Sequence, residues 1–163
     1  SQLKIPLESW RITLGFENKS SKTPTTWLGF FDEDLEQALL YAEQEFEMSE
    51  VDAHGNTKRD NLLSAQRQLK RVPKELEDLV ELPDCMREYW FWFIRLSNRR
   101  PAGMGISAIP YSEMLAFFEL MGIVPDPVEI EVIEAFDRIA MKHYQKQQEK
   151  EQAKAKQKST GKK

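Results

Sequence analysis

The residues that could carry covalent or metal chemistry are few. The chain has one cysteine, Cys85, and two histidines, His54 and His143. A catalytic cysteine needs a partner base, and no local motif links either histidine to Cys85. These three side chains also fall short of the four ligands of a Cys/His zinc site. We therefore expect no enzyme activity, no cofactor and no metal.

Two short motifs look like ligand-binding loops but lack the residues that binding needs. Gly103 and Gly105 occur outside the context of a phosphate-binding loop, so we interpret them as residues selected for backbone geometry in a turn. Pro110 is a third backbone-geometry residue, because its fixed φ angle suits the start of a helix. Residues 52–56 read D-x-H-x-N and lack the glycine and final glutamate of a calcium loop.

Charge is distributed unevenly along the 163 residues. The net charge is −4, yet residues 145–163 alone contain seven Lys and two Glu, so the first 144 residues carry −9. The basic end lacks arginine and aromatic residues and hangs from an acidic body, which disfavours binding to phosphates. We expect a flexible basic tail over 145–163 and no nucleic-acid partner. A DNA-associated regulator or packaging factor is the alternative that this tail leaves open.

The hydropathy pattern argues against a membrane protein. The longest uninterrupted apolar run, residues 89–94, has six members, whereas a membrane span needs roughly 20. The N-terminus lacks the apolar centre of a signal peptide, and a single cysteine excludes an intrachain disulfide. We expect a soluble protein of a reducing, intracellular compartment with no membrane partner.

The N-terminal half combines a short β element with helices. Apolar residues alternate over 10–16, which predicts a strand, and the apolar run 27–31 is either a return strand or the lead into a helix. Acidic residues after Asp32 and apolar residues at helical spacing predict a helix from there to about Met48. A loop over 49–60, a second helix ending near Arg71 and a turn after Pro73 follow.

The C-terminal half predicts three helices. The central one is capped by Asp84, the next runs from Pro110 to Gly122, and the last is capped by Asp126 and keeps its apolar face as far as Tyr144. The interior residues predicted for the second of these helices are Met114, Leu115, Phe117, Phe118 and Met121. Beyond that point the sequence is either a solvated extension or disordered. The predicted fold is mainly α, with about five helices and a short N-terminal β element. We divide the chain into a β/α segment (1–83), a helical three-helix unit (84–144) and the tail.

The central helix carries aromatic residues on two faces. Trp90 and Trp92 point about 200° apart around the helix axis, so one small core cannot easily bury both. Either a second layer from the N-terminal half covers one side, or that side binds a partner. Arginines at the helix end either complement the helix dipole or recognise an acidic partner. The candidate partner-binding residues are Trp90, Trp92, Arg95, Arg99, Arg100, Met104 and Tyr111.

A stretch of the chain resembles a known family. Residues 90–105 read W-F-W-F-I-R-L-S-N-R-R-P-A-G-M-G, followed by I-P-Y-S-E-M and then E-A-F-D-R-I-A-M-K-H-Y. This pattern resembles small proteins of tailed bacteriophages that are similar to the tail assembly chaperones of long-tailed phages. The resemblance covers about residues 90–144. Its matching positions are Leu96, Ser97, Arg100, Gly103, Met104, Gly105, Ile109, Pro110, Tyr111, Ser112, Ala135 and Asp137.

The resemblance implies a non-enzymatic assembly role in the host cytoplasm. Chaperones of this kind coat the tape measure protein before tail tube subunits polymerise around it, and they are absent from the finished virion. The implied partners are therefore the phage tape measure protein and the tail tube protein. A structural phage protein retained in the virion, such as a head-tail connector or minor tail component, is the alternative.

Overall fold

The fold is built from helices. The computed structural model describes residues 25–100 and 107–160, and over these residues it contains six α-helices and no strand. The mainly α prediction is confirmed, while the strand predicted over 10–16 lies outside the described residues. The helices are α1 (Thr25–Met48), α2 (Lys58–Leu69), α3 (Lys74–Glu77), α4 (Arg87–Ser97), α5 (Tyr111–Met121) and α6 (Pro127–Thr160).

Helix α1 begins earlier than the sequence predicted. Its first residue is Thr25, so the run 27–31 is helical and the alternative of a return strand is wrong. The prediction that Asp32 caps the helix is also wrong, because Asp32 lies inside it. Adding residues to an existing helix avoids the cost of nucleation, and aromatic residues or one glycine cost about 1 kcal/mol or less each relative to alanine. The predicted end at Met48 is confirmed.

The connection after α1 is shorter than the predicted loop over 49–60. An isolated antiparallel β-bridge pairs Val51 with Thr57 within this connection, and α2 begins directly afterwards at Lys58. The Thr57 and Asp60 side chains each accept a hydrogen bond from the other residue's backbone N–H, forming a capping box. Local side-chain capping therefore starts this helix sooner than its apolar pattern indicates.

A glutamine on α1 fixes the segment after α3. The Gln44 Nε2 donates to the Asp78 carbonyl at 2.9 Å, and its Oε1 accepts from the Val80 N–H at 2.8 Å. Gln37 adds a bond from its Nε2 to the Glu81 carbonyl at 2.7 Å. The side chains of α1 thus satisfy backbone groups of an irregular segment that has no helix or sheet partner of its own.

Helix α4 is preceded by a 3₁₀ turn, Asp84–Met86, so the prediction that Asp84 directly caps the helix is wrong. Asp84 instead forms an exposed ion pair with Arg87 at 2.9 Å. The physical reason is the preceding Pro83, whose extended backbone lets the chain enter through a tighter turn, with the Met86 N–H bonded to the Pro83 carbonyl.

Both predicted boundaries of α5 are confirmed. Pro110 occupies the N-cap, and Gly122 ends the helix at φ 66°, in the left-handed region that glycine adopts at no steric cost. Reciprocal hydrogen bonds between Asp126 and Glu129, both 2.9 Å, then cap α6 as predicted. The helix continues past Tyr144 to Thr160, and the side chains of residues 145–156 are mostly exposed, as expected for a solvated extension.

The core lies where α6 packs against α1 and α4, the two largest helix contacts of the structure. Ala38 and Ala42 of α1 are fully buried, and their small side chains allow close approach of the helices. Helix α1, which belongs to the N-terminal half, thus packs on the C-terminal helices. The largest fully buried side chains are Phe93, Phe136, Met86, Ile133 and Val132.

Within the described ranges, no helix combines the length and apolarity that crossing a membrane requires.

Candidate partner-binding groove and the junction that positions it

The end of α4 is tied to the middle of α6 by a buried ion pair. The Arg100 Nη2 donates to the Asp137 Oδ1, and the two side chains are only 10% and 7% exposed. Arg100 also donates from Nη1 to the Ser107 carbonyl at 2.5 Å and from Nε to the Ser97 hydroxyl at 3.3 Å. One guanidinium therefore connects α4, α6 and the segment that leads into α5.

The same carboxylate fixes the start of α5. The Asp137 Oδ2 accepts a hydrogen bond from the Ile109 backbone N–H at 2.9 Å, and the Ile109 side chain is buried. Because both carboxylate oxygens are bonded, the acid is compensated despite its burial. Pro110 follows directly as the N-cap of the helix. The junction thus sets where α5 leaves the core.

The junction explains why the motif residues occur together. Ser97, Arg100, Ile109 and Asp137 are spread over about 40 positions of the sequence, yet they form one connected set of hydrogen bonds. Arg100, one of the predicted partner-binding residues, thus makes an internal contact in the structure. Gly103, Gly105 and Met104 lie outside the described residues.

The two tryptophans are both interior residues. Trp92 is buried and meets Phe118 of α5 edge-on, with ring centroids 5.1 Å apart. Trp90 is half-buried and packs edge-on against Tyr41 of α1 at 5.4 Å and Phe136 of α6 at 5.1 Å. Opposite faces of α4 are therefore covered by different helices, which is the second-layer alternative.

The exposed aromatic residue of α4 is Phe91, which lies between the two tryptophans and is 52% exposed. The Arg95 guanidinium carbon lies 5.4 Å from the centroids of both the Phe91 and Phe117 rings. Its Nη1 also contacts the Met121 sulfur at 3.5 Å. Arg95 thus bridges α4 and α5 through cation–π contacts. Arg99 is exposed and forms no ion pair with any described residue.

Tyr111 lies at the first turn of α5 and is exposed. Its hydroxyl donates a hydrogen bond to the Glu134 carboxylate of α6. This bond raises the pKa of Tyr111, because the donor is lost on ionisation and the nearby carboxylate repels a phenolate. Of the predicted partner-binding residues, Tyr111 lines an open surface feature.

That feature is an apolar groove of about 310 Å³ between α5 and the start of α6. Its floor includes the buried side chains of Met114 and Phe118, whereas Leu115 and Val124 are 62% and 95% exposed. The groove is lined by Tyr111, Met114, Leu115, Phe118, Glu119, Ile123, Val124, Pro125 and Ile130.

Sequence reasoning missed the groove because it assigned five apolar residues of α5 to the interior. Met114, Phe117 and Phe118 are buried as predicted, but the predictions for Leu115 and Met121 are wrong, since both are exposed. A short helix at the edge of a domain turns only one face to the core, and the apolar arc of α5 is wider than one face. The width of the apolar arc of α5 was the sequence feature that could have indicated an exposed apolar surface.

The groove lies in an acidic part of the chain. Residues 107–137 contain seven Asp and Glu and no Lys, Arg or His. Asp137 is paired with Arg100 inside the protein, and Glu119 is the charged residue that lines the groove. The chain segment that forms the groove is therefore acidic, and Arg138, which acts on the pKa of Tyr111, is the first cation to follow it in the sequence.

The reactive side chains identified in the sequence are kept apart. Cys85 contacts Asp34 of α1 at 3.3 Å, while His143 stacks on Phe46 near the end of α1, about 18 Å further along the helix axis. Partial burial, followed by the hydrogen bond to Asp34, raises the pKa of the Cys85 thiol, the opposite of what a nucleophile needs. Among the described residues, no three His, Cys, Asp or Glu side chains are grouped to hold a metal ion.

The fold and site therefore define a helical module with an open apolar groove on its surface. Residues 65–142, slightly less than half of the chain, match the family model of phage tail assembly chaperones. The resemblance predicted from the sequence over 90–144 is confirmed and extends further towards the N-terminus. No curated protein and no solved structure matches the chain.

Proposed function

We propose that this protein is a phage tail assembly chaperone that binds the tape measure and tail tube proteins during tail morphogenesis. The family match over 65–142 supports the chaperone role. The partners follow from the family resemblance, and we place their encounter in the host cytoplasm. The proposed role is non-enzymatic.

The observation that carries the proposal is the apolar groove inside the matched segment. A long helical partner exposes apolar faces before assembly, and a protein that shields such faces needs an apolar surface of its own within a charged exterior. The groove provides the apolar surface, and the acidic segment around it provides the charged exterior. Such a shallow surface suits a partner that must later be released, because very high affinity would slow displacement by the tube protein.

Quantitative mass spectrometry of purified virions tests this function against the structural alternative. We expect the protein in infected cells during tail assembly and only traces in virions. A stoichiometric amount in virions would contradict the chaperone role and support a connector or minor tail component.

A further inference from the structure

We infer that the groove between α5 and α6 binds an amphipathic helix whose apolar stripe is flanked by Lys or Arg, contributed by the tape measure protein. This inference rests on the proposed function and adds to it a site and a chemistry of recognition.

The shape of the groove fits the apolar stripe of a helix. Phe118 and Met114 form a buried floor, and Leu115 and Val124 stand on its sides with most of their surface exposed. A helix places side chains at i, i+3 or i+4, and i+7 on one face, and these can enter a groove of this kind as anchors. Burial of Leu115 and Val124 against such anchors would remove exposed apolar surface from water.

The acidic charge around the groove determines which charged residues can flank the apolar stripe of the bound helix. Seven acidic residues and no basic residue occur over 107–137, and Asp137 is paired with Arg100 in the core. Arg138, the next residue along the chain, is close enough to Tyr111 to act on its pKa, but the acidic residues outnumber it. Glu119 lies in the groove wall itself. A helix carrying Lys or Arg beside its apolar stripe is attracted to this surface, whereas one carrying Glu is repelled. A second copy of this chain would bring the same acidic face, which disfavours it as the occupant.

Helix α5 offers matched control positions. Leu120 is 84% exposed, yet it lies outside the groove, so Leu120→Glu makes the same chemical change as Leu115→Glu at a neighbouring site. Glu113 is exposed on the same helix and does not line the groove, so Glu113→Lys controls for Glu119→Lys. Val124→Glu is a second groove variant in the linker, outside the helix.

The probe is a fluorescein-labelled synthetic helix of about 18 residues, roughly five turns, with Leu at heptad spacing and Lys beside them. Two matched peptides carry Glu in place of Lys, or the same residues with the leucines scattered around the helix. Fluorescence anisotropy with the full chain measures the Kd of each, and circular dichroism checks that every protein variant is folded.

We expect binding of the Lys peptide only, weakened about tenfold or more by Leu115→Glu and Val124→Glu and by less than about twofold by Leu120→Glu. Glu119→Lys is expected to weaken the Lys peptide more than Glu113→Lys does. Equal effects of the groove and control variants, or equal binding of the scattered peptide, would overturn the groove as the site. Self-association of the chain that Leu115→Glu abolishes would instead make a second copy the occupant and overturn the inference.

Co-expression with tape measure fragments separates this inference from the proposed function. If the wild-type chain and Leu115→Glu both keep a fragment soluble, the groove assignment fails while the chaperone function stands. If the wild-type chain binds the Lys peptide but no tape measure fragment, the tape measure protein fails both as the proposed partner and as the occupant of the groove. If the fragment becomes insoluble with Leu115→Glu but stays soluble with Leu120→Glu, the groove assignment and the chaperone function are both supported.

Discussion

Arg100, three residues after the end of α4, forms a buried ion pair with Asp137 in α6, 37 positions further along the chain. The second carboxylate oxygen of Asp137, Oδ2, accepts a hydrogen bond from the Ile109 N–H, so the pair also holds the segment that leads into α5. The groove between α5 and α6 therefore depends on a contact that lies behind it. The motif that resembles the phage family supplies this contact, and its Tyr111 also lines the groove.

Asp137→Asn tests the structural role of this pair. Removing one charge leaves the Arg100 guanidinium buried without its counter-ion, and we expect a loss of roughly 3–5 kcal/mol in the free energy of unfolding, measured by urea denaturation. Asp84→Asn is the matched control, because its ion pair with Arg87 is exposed and is worth less than about 1 kcal/mol. Equal stability of the two variants would show that the junction does not hold the fold together.

Trp92→Ala tests whether the central tryptophan is a core residue. Its ring is buried against Phe118 and Tyr89, so truncation leaves a large cavity and we expect a loss of roughly 3–5 kcal/mol. Phe91→Ala, on the same helix, removes a half-exposed ring and its contact with Arg95, and we expect about 1 kcal/mol or less. Unchanged stability of Trp92→Ala with loss of partner binding would place this residue in an interface instead.

Gly122→Ala tests the end of α5. The backbone at this residue has φ 66°, and a Cβ atom there meets no neighbour within 4 Å, so the cost is conformational and not steric contact. We expect a loss of about 1 kcal/mol for alanine and a smaller loss for asparagine, which tolerates the left-handed region better. Thermal unfolding of both variants measures the difference, and an alanine variant as stable as the wild type would contradict this explanation.

His143 predicts a pH dependence of stability. Burial against Phe46 lowers the pKa of His143 below its ordinary value of 6.5, and nearby Lys150 and Lys146 lower it further, although Glu50 and Glu47 oppose them. The unfolded chain therefore binds the proton more readily, so this contribution to stability is complete above about pH 6.5 and is lost as the pH falls. We expect His143→Gln to flatten the fall in unfolding free energy between about pH 7 and 5.5. An identical slope in the variant would assign the effect to other groups.

Local signals predicted much of the C-terminal half. Pro110, Gly122 and the pair Asp126–Pro127 mark helix boundaries through their own backbone and capping preferences, so no knowledge of distant residues was needed. Trp90 and Trp92 showed that α4 has two apolar faces, but which helices cover them depends on contacts from α1 and α5. Those contacts arise only when the chain folds.

The candidate site was harder to predict for the same reason. Arg100 follows a helix end and looked like a dipole partner or recognition residue, because Asp137 is remote in the sequence. Leu115 looked like a core residue, because composition alone does not say which part of a wide apolar arc is left uncovered. Which residues pair across long sequence separations, and which apolar surface stays uncovered, is determined only when the helices pack together.

Co-purification with fragments of the tape measure protein tests the chaperone role most directly. The full chain is expressed together with each fragment, and the mixture is separated by size-exclusion chromatography at moderate salt. We expect a fragment that is insoluble alone to become soluble and to elute with this protein. If the protein elutes alone and every fragment stays insoluble, the proposed chaperone function is contradicted.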